Sequence, residues 1–268
     1  MRNFRTLSLP FCSKQARASV AFLLGFGLTI ASAMVSVAES PETAPPELKT
    51  SLAQMEMAAN QKDIEKVMEF YSSDFKNSDG LNAASLEKAI AQFWQRYDNV
   101  QYKTELQSWE NTGQELVAET VTTVTGTAKQ KKRTMQLKST IRSRQYFQNQ
   151  KLVRQEILSE KTEVTSGNKP PVVEVILPET VGVGEEFEFD VVVQEPLGND
   201  LLAGVAIDEK VEGDRYLKPS AVNLELLQAG GLFKRAKAPA QPGNRWLSAI
   251  LVRGDGMTMV TQRLRFEK

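Results

Sequence analysis

The sequence predicts an α+β domain followed by an all-β sandwich. Two changes of hydrophobic period and one break in composition carry this expectation. Residues 47–97 repeat apolar side chains at intervals of three and four. Residues 99–164 alternate apolar with polar residues in long runs rich in Thr, Val and aromatics. After "TSGNKPP" the chain divides into short alternating runs separated by Gly, Pro, Asn and Asp.

The N-terminus reads as a targeting segment. Arg2, Arg5, Lys14 and Arg17 are the only charges before Glu39, and the apolar run "VAFLLGFGLTIASAMVSVA" follows them. Ser36 and Ala38 place small residues before a cleavage point, and Ala31 and Ala33 offer an earlier one. Residues 1–38 are therefore expected to be a signal peptide, which implies the periplasm or an equivalent lumen. The alternative is an uncleaved helix that anchors the chain, since the run is just long enough to span a bilayer at about 20 residues. Residues 39–46, "ESPETAPP", are expected to form a flexible leader.

Three helices come next. Leu48, Leu52, Met55 and Ala59 share one face of the first. Asn60 is a candidate cap for the second, whose stripe is Ile64, Val67, Met68 and Tyr71, with Asp74 and Phe75 at its end. Asn82 caps the third, Leu81 and Leu86 fit a hydrophobic staple, and the buried stripe is Leu86, Ile90, Phe93 and Tyr97.

Four long strands complete the first domain, expected over 47–165. In "RTMQLKSTIRSRQYFQNQ", Met135, Leu137, Ile141 and Phe147 keep one parity, whereas Lys138, Arg142 and Arg144 keep the other. One face is buried and one wet, as in an antiparallel sheet covered by helices on one side. A linker is expected at 166–171. The remainder, 172–268, holds about seven short strands. In "GEEFEFDVVV", Phe187, Phe189, Val191 and Val193 point inward. This segment resembles an immunoglobulin-like β-sandwich without its cysteine pair.

Composition excludes several classes of function. The chain has 268 residues with no histidine and one cysteine, Cys12, which precedes the apolar run. The usual general base near neutral pH, the commonest zinc ligand and every Ser-His or Cys-His pair are ruled out. Removing residues 1–38 takes away four basic residues and no acidic ones, leaving 29 basic against 33 acidic, a net of about −4. That charge gives no footprint for nucleic acid. No metal site and no cofactor is expected, because no acidic loop has calcium-binding spacing and no Gly-rich loop precedes a helix.

"FYSSDF" (70–75), "SDG" (78–80), the "FW" of the third helix and the four strands resemble the nuclear transport factor 2-like superfamily, near its SnoaL-like and DUF4440-like branches. The resemblance covers about residues 47–164. It implies an α+β cone: three helices packed on a strongly bent antiparallel sheet that encloses a pocket. Its members include isomerases, dehydratases, cyclases and non-enzymatic binding modules. The enzymes commonly use an Asp base paired with His or Tyr; no catalytic motif matches here residue by residue.

Candidate pocket residues are Tyr71, Phe75, Phe93, Trp94, Tyr97, Trp109 and Tyr146, each weighed against plain core packing. Catalytic residues are expected to be none; the alternative is Asp74 as base with Tyr71. Lys129, Lys131, Lys132 and Arg133 form a basic knob at a hairpin tip, a patch for anionic lipid or an acidic partner or, more simply, a solvated turn. The expected role is an exported, non-enzymatic binding or scaffolding protein. It would take a small apolar ligand or a protein partner, and a homodimer through the first-domain sheet is a candidate. The alternative is a pocket isomerase, dehydratase or cyclase that uses a carboxylate base. Membrane contact is expected only if the N-terminal helix is retained.

Overall fold

The computed structural model describes residues 38–130, 133–198, 200–213, 215–217, 222–228, 230–254 and 256–268. The expected targeting run, Cys12, Lys131 and Lys132 lie outside the described residues. Among those described, no helix is long and apolar enough to cross a membrane.

Helix α1 (Pro46–Asn60) starts on a proline, whose missing N–H costs nothing at a first turn. It buries Leu48, Leu52 and Ala58. Asn60 does not cap the next helix. Its side-chain amide clamps the backbone of Tyr102 instead, donating to the carbonyl at 3.0 Å and accepting from the N–H at 2.7 Å. The cap of α2 (Ile64–Glu69) is Asp63, which accepts from the Lys66 amide. This helix stops at Glu69, and "YSSDFKN" is strand β1 (Tyr71–Asn77). A six-residue helix followed by a strand replaces the expected longer helix. Leu152 of the neighbouring strand donates its N–H to the Phe70 carbonyl, which starts the pairing at that point. Helix α3 (Ala83–Arg96) has the expected start: Asn82 and Ser85 form a reciprocal capping box.

Four long strands follow: β2 (Gln101–Asn111), β3 (Leu116–Gln130), β4 (Arg133–Gln148) and β5 (Lys151–Ser166). They pair in order as an antiparallel meander. The remaining described strands are β6 (Val173–Ile176), β7 (Thr180–Gly182), β8 (Glu186–Val193), β9 (Leu202–Lys210), β10 (Glu225–Leu226), β11 (Gly231–Lys237) and two longer ones, β12 (Gly243–Arg253) and β13 (Gly256–Glu267).

The expected fold class, a cone plus a separate immunoglobulin-like sandwich, is not what forms. The protein is predominantly β, and the described strands fall into two sheets. One has ten strands, in the order β10-β9-β12-β13-β5-β4-β3-β2, with β1 on β5 and β7 on β13; the other is β11-β8-β6. The joint is β5. One edge of it pairs with β4 along its length. The other edge is shared: Leu152–Gln155 take β1 in parallel, and Lys161–Ser166 take Met257–Gln262 of β13 antiparallel. An unpaired row of backbone groups is costly when buried. The free half-edge of β5 is satisfied by the last strand of the chain, so sheet hydrogen bonding passes over residues 166–171 without a break.

Three apolar clusters form among the described residues. One lies between the three-stranded sheet and the β9-β12-β13 part of the large sheet, around Phe189, Val191, Ala249, Leu251 and Leu264. The alternation of β8 produces it, with Phe187, Phe189, Val191 and Val193 all buried. The second joins α1 and β1 to the sheet through Leu48, Phe75, Trp109 and Phe147. The third surrounds Tyr97, Val100, Leu137 and Val164. Residues 39–44 are tied down: Glu39 forms a two-way backbone bridge with Trp109, whose indole donates to Thr43 at 3.0 Å.

Candidate functional site

Helix α3 is strongly amphipathic, yet none of its residues is fully buried. Its apolar stripe faces a gap. Leu86, Ala89, Ile90, Phe93 and Trp94 form one wall of a pocket of about 410 Å³, between this helix and the sheet. Such a volume lies within the range of small-molecule sites, ~300–1,000 Å³. Met55, Ala59 and Val67 extend the apolar wall, and Tyr71 and Tyr102 add aromatic edges. The sheet supplies the floor through one parity of β4: Leu137, Ser139, Ile141, Ser143 and Gln145 all line it.

The polar groups of the floor are largely satisfied among themselves. Ser139 and Thr162 share a hydrogen bond of 2.7 Å, and Thr120 and Ser143 share one of 3.2 Å. Trp94 donates to the Tyr102 hydroxyl at 2.9 Å. Burial pushes that hydroxyl up to about 12, against the lowering effect of the Trp94 bond. Burial pushes the Tyr71 hydroxyl up to about 12 as well, with Tyr102 adding a smaller contribution. Both are therefore neutral at ordinary pH. Gln145, 7% exposed, has a side-chain oxygen with no partner among the described residues.

Opposite chemistry lies at the Glu160 end. Glu160 lines the pocket together with Tyr216. Behind it is a buried charge cluster. The Arg263 guanidinium donates to both oxygens of Asp79, at 2.9 and 2.7 Å, and to Oε2 of Glu160 at 3.2 Å. Tyr216 donates its hydroxyl to Asp79 at 2.6 Å, and the Trp246 indole donates to Oε2 of Glu160 at 2.9 Å. The Tyr216 and Trp246 rings meet edge to face. Burial pushes Arg263 down, but its bonds to Asp79 and the attraction of Asp79 and Glu160 outweigh that and hold it above its ordinary value. Tyr216 is raised well above its ordinary value, first by burial and then by the two carboxylates. Within this cluster two carboxylates face one guanidinium, a formal charge of −1.

The structure separates the sequence candidates. Tyr71, Phe93 and Trp94 line the pocket. Phe75 is fully buried in the cluster with Leu152 and Trp109, in edge contact with Tyr71. Tyr97 packs against Val100 and Val124, below Phe93. Tyr146 turns to the outer face of the sheet, under the Arg154 guanidinium, which stands 3.3 Å from its ring centre. Asp74 is exposed on β1, away from the pocket lining. Lys129 and Arg133 are exposed at the β3–β4 end. The basic residues of the wet face are partly neutralised, since Arg142 and Arg144 both pair with Glu119. Among the described residues, no three acidic side chains converge as a metal site would need.

Sequence reasoning missed Asp79, Tyr102, Glu160, Tyr216 and Arg263. Asp79 lies within "SDG", where a turn role hides a buried one. Tyr102 and Glu160 carry a local signal: each shares strand parity with a threonine, Thr104 and Thr162, that also lines the pocket.

Comparisons with solved structures give low superposition. An LEH-like epoxide hydrolase from M. tuberculosis matches at 9% identity and TM-score 0.30, over 41% of this chain and 80% of its own. A hypothetical protein with a ketosteroid isomerase-like fold from Catenulispora acidiphila, in complex with trimethylamine, matches at 11% and 0.30, over 44% and 85%. Bd1075 of Bdellovibrio bacteriovorus matches at 20% and 0.30, over 41% of this chain, which spans only 38% of that protein. No curated protein matches the chain. Residues 168–267 match a family model described as a domain of unknown function, DUF8623.

Proposed function

We propose that the protein is a non-enzymatic binding protein whose pocket beneath α3 takes a small, mainly apolar molecule. One observation carries this reading: Leu86, Ile90 and Phe93 of an amphipathic helix line open space, with Leu86 and Phe93 packing against the core clusters only in part. Exposed apolar surface of this kind is stabilised by an occupant that removes it from water, at roughly 25 cal/mol per Å². The sequence of residues 1–38 supports placing this activity outside the cytoplasm. A family model that begins at residue 168 supports treating the C-terminal segment as a module with its own role, for which docking to a partner is the proposal.

The test uses the neutral fluorescent probe N-phenyl-1-naphthylamine. The expected result is saturable enhancement with the wild type and its loss in Ala89→Phe, where a ring fills the space under α3. Enhancement that survives the filled pocket, or none with the wild type, overturns the reading.

A further inference from the structure

The pocket's charged lining is one-sided. Among the described residues that form it, the acidic side chains are Glu56 and Glu160, and no Lys or Arg joins them. Each is engaged at one oxygen. Glu56 accepts from the Thr104 amide at 2.6 Å, which fixes it against β2, and it also lines a separate open groove beside α1. Glu160 instead stands against the buried charge cluster. Trp246 and Arg263 both donate to Oε2, and Oε1 has no protein donor among the described residues. The pair behind it does not cancel its charge. Arg263 makes its two shorter bonds to Asp79, so the cluster retains one negative charge, borne on the side that lines the pocket.

A carboxylate held at 15% exposure in such surroundings is incompletely compensated. A cation placed against it is favoured far more than it would be in water, because the low local dielectric strengthens the attraction. An anion is disfavoured for the same reason. Tyr216, also in the lining, adds an aromatic ring to this end of the pocket, and aromatic rings attract cationic groups. The apolar wall of Ile90, Phe93, Trp94 and Leu137 runs on from this end and suits a hydrocarbon body.

We infer that the ligand is an amphipathic amine: an apolar body beneath α3 and a cationic nitrogen donating to Oε1 of Glu160. This rests on the pocket being a binding site and adds to it the class of ligand. Glu160 is fixed for the task from behind, since Trp246 and Arg263 hold its carboxylate from strands β12 and β13.

The experiment compares three ligands of one chain length, decylammonium, decanol and decanoate, near pH 7. Each is measured by displacement of N-phenyl-1-naphthylamine and directly by calorimetry. The wild type should bind decylammonium at least about tenfold more tightly than decanoate, a difference of about 1.4 kcal/mol, with decanol between them. In Glu160→Gln, which keeps an acceptor for Trp246 and Arg263, the ratio of decylammonium to decanol affinity should fall towards one. In Glu56→Gln the ratio should stay well above one. Equal or tighter binding of decanoate by the wild type overturns the inference without help from any variant. So does a preference that survives Glu160→Gln, or one that vanishes only in Glu56→Gln. If decanol and the neutral probe bind while decylammonium gains nothing, the pocket reading stands and the amine does not. If none of the compounds binds, both fall.

Discussion

Arg263 and Asp79 stand 184 positions apart in the chain and are joined by two parallel hydrogen bonds, with both side chains fully buried. Such forked pairing of guanidinium with carboxylate is among the stronger polar contacts in proteins. Asp79 comes from the turn between β1 and α3, where the Asn77 side chain accepts from its amide at 2.7 Å. Arg263 comes from the last strand. The pair ties the helical part of the molecule to its C-terminal strands and at the same time supports Glu160 at the pocket.

Removing one partner of a buried ion pair leaves the other uncompensated. Arg263→Met is therefore expected to destabilise the protein by about 3–5 kcal/mol, because Asp79 and Glu160 both lose their cationic partner and keep only the neutral donors Tyr216 and Trp246. Asp79→Leu with Arg263→Met should cost less than the two single changes summed. Urea denaturation of the four species of this cycle reads the coupling directly. Additive costs would show that the pair contributes nothing beyond packing.

The same contacts govern what happens when the chain is divided. Fragments 39–168 and 169–268 separate β5 from β13 and Asp79 from Arg263. Each fragment is expected to unfold at a lower denaturant concentration than the intact chain. Mixing them should restore part of the difference as the sheet joins again. Fragments as stable as the whole would mean that the shared edge of β5 contributes little.

Local features were legible in the sequence. The cap at Asn82, the parity of β4 and the alternation of β8 all depend on neighbours within a few residues, and periodicity reports them directly. What could not be read was anything requiring two distant segments to meet. In β13 the even residues Val260, Leu264 and Phe266 fill the core against the smaller sheet. Arg263 belongs to the opposite face, which a sandwich strand would give to water. Here β5 and the turn at Asp79 reach that region, so both faces are covered. Asp74 and Asp79 illustrate the same limit. Asp74 has aromatic neighbours in the sequence, the usual company of a pocket carboxylate, and is exposed. Asp79 has the neighbours of an ordinary turn residue and is buried beneath Tyr216.

Phe75 and Phe93 should respond differently to truncation. Phe75 is 0% exposed and packed on all sides, so Phe75→Ala leaves a cavity and is expected to cost about 3–5 kcal/mol. Phe93 faces the pocket and is only partly buried, so Phe93→Ala enlarges existing space and should cost less than about 2 kcal/mol, as for partial loss of buried apolar area. Its larger effect should be on ligand affinity. Thermal unfolding with and without the neutral probe separates the two contributions; an equal loss of stability at both positions would argue that Phe93 is core.

Alkaline pH should unfold the protein through its tyrosines. The hydroxyls of Tyr71 and Tyr102 lie at about 12 in the folded chain against 10.0 for the free group, and burial leads in both cases. Tyr216 and Tyr97 are raised as well, with burial again first. A raised value means that the folded state keeps the proton that the unfolded state has already released. Below pH 10 both states hold it and stability does not depend on these groups. Between pH 10 and about 12 the unfolded chain carries fewer protons, so stability falls as pH rises. The direction is fixed by the sign of that difference. Tyrosinate absorbance should therefore rise late and cooperatively, together with loss of the β-sheet signal in circular dichroism. A gradual rise from pH 10 with the sheet intact would place these hydroxyls in water and remove the buried aromatic wall on which the pocket depends.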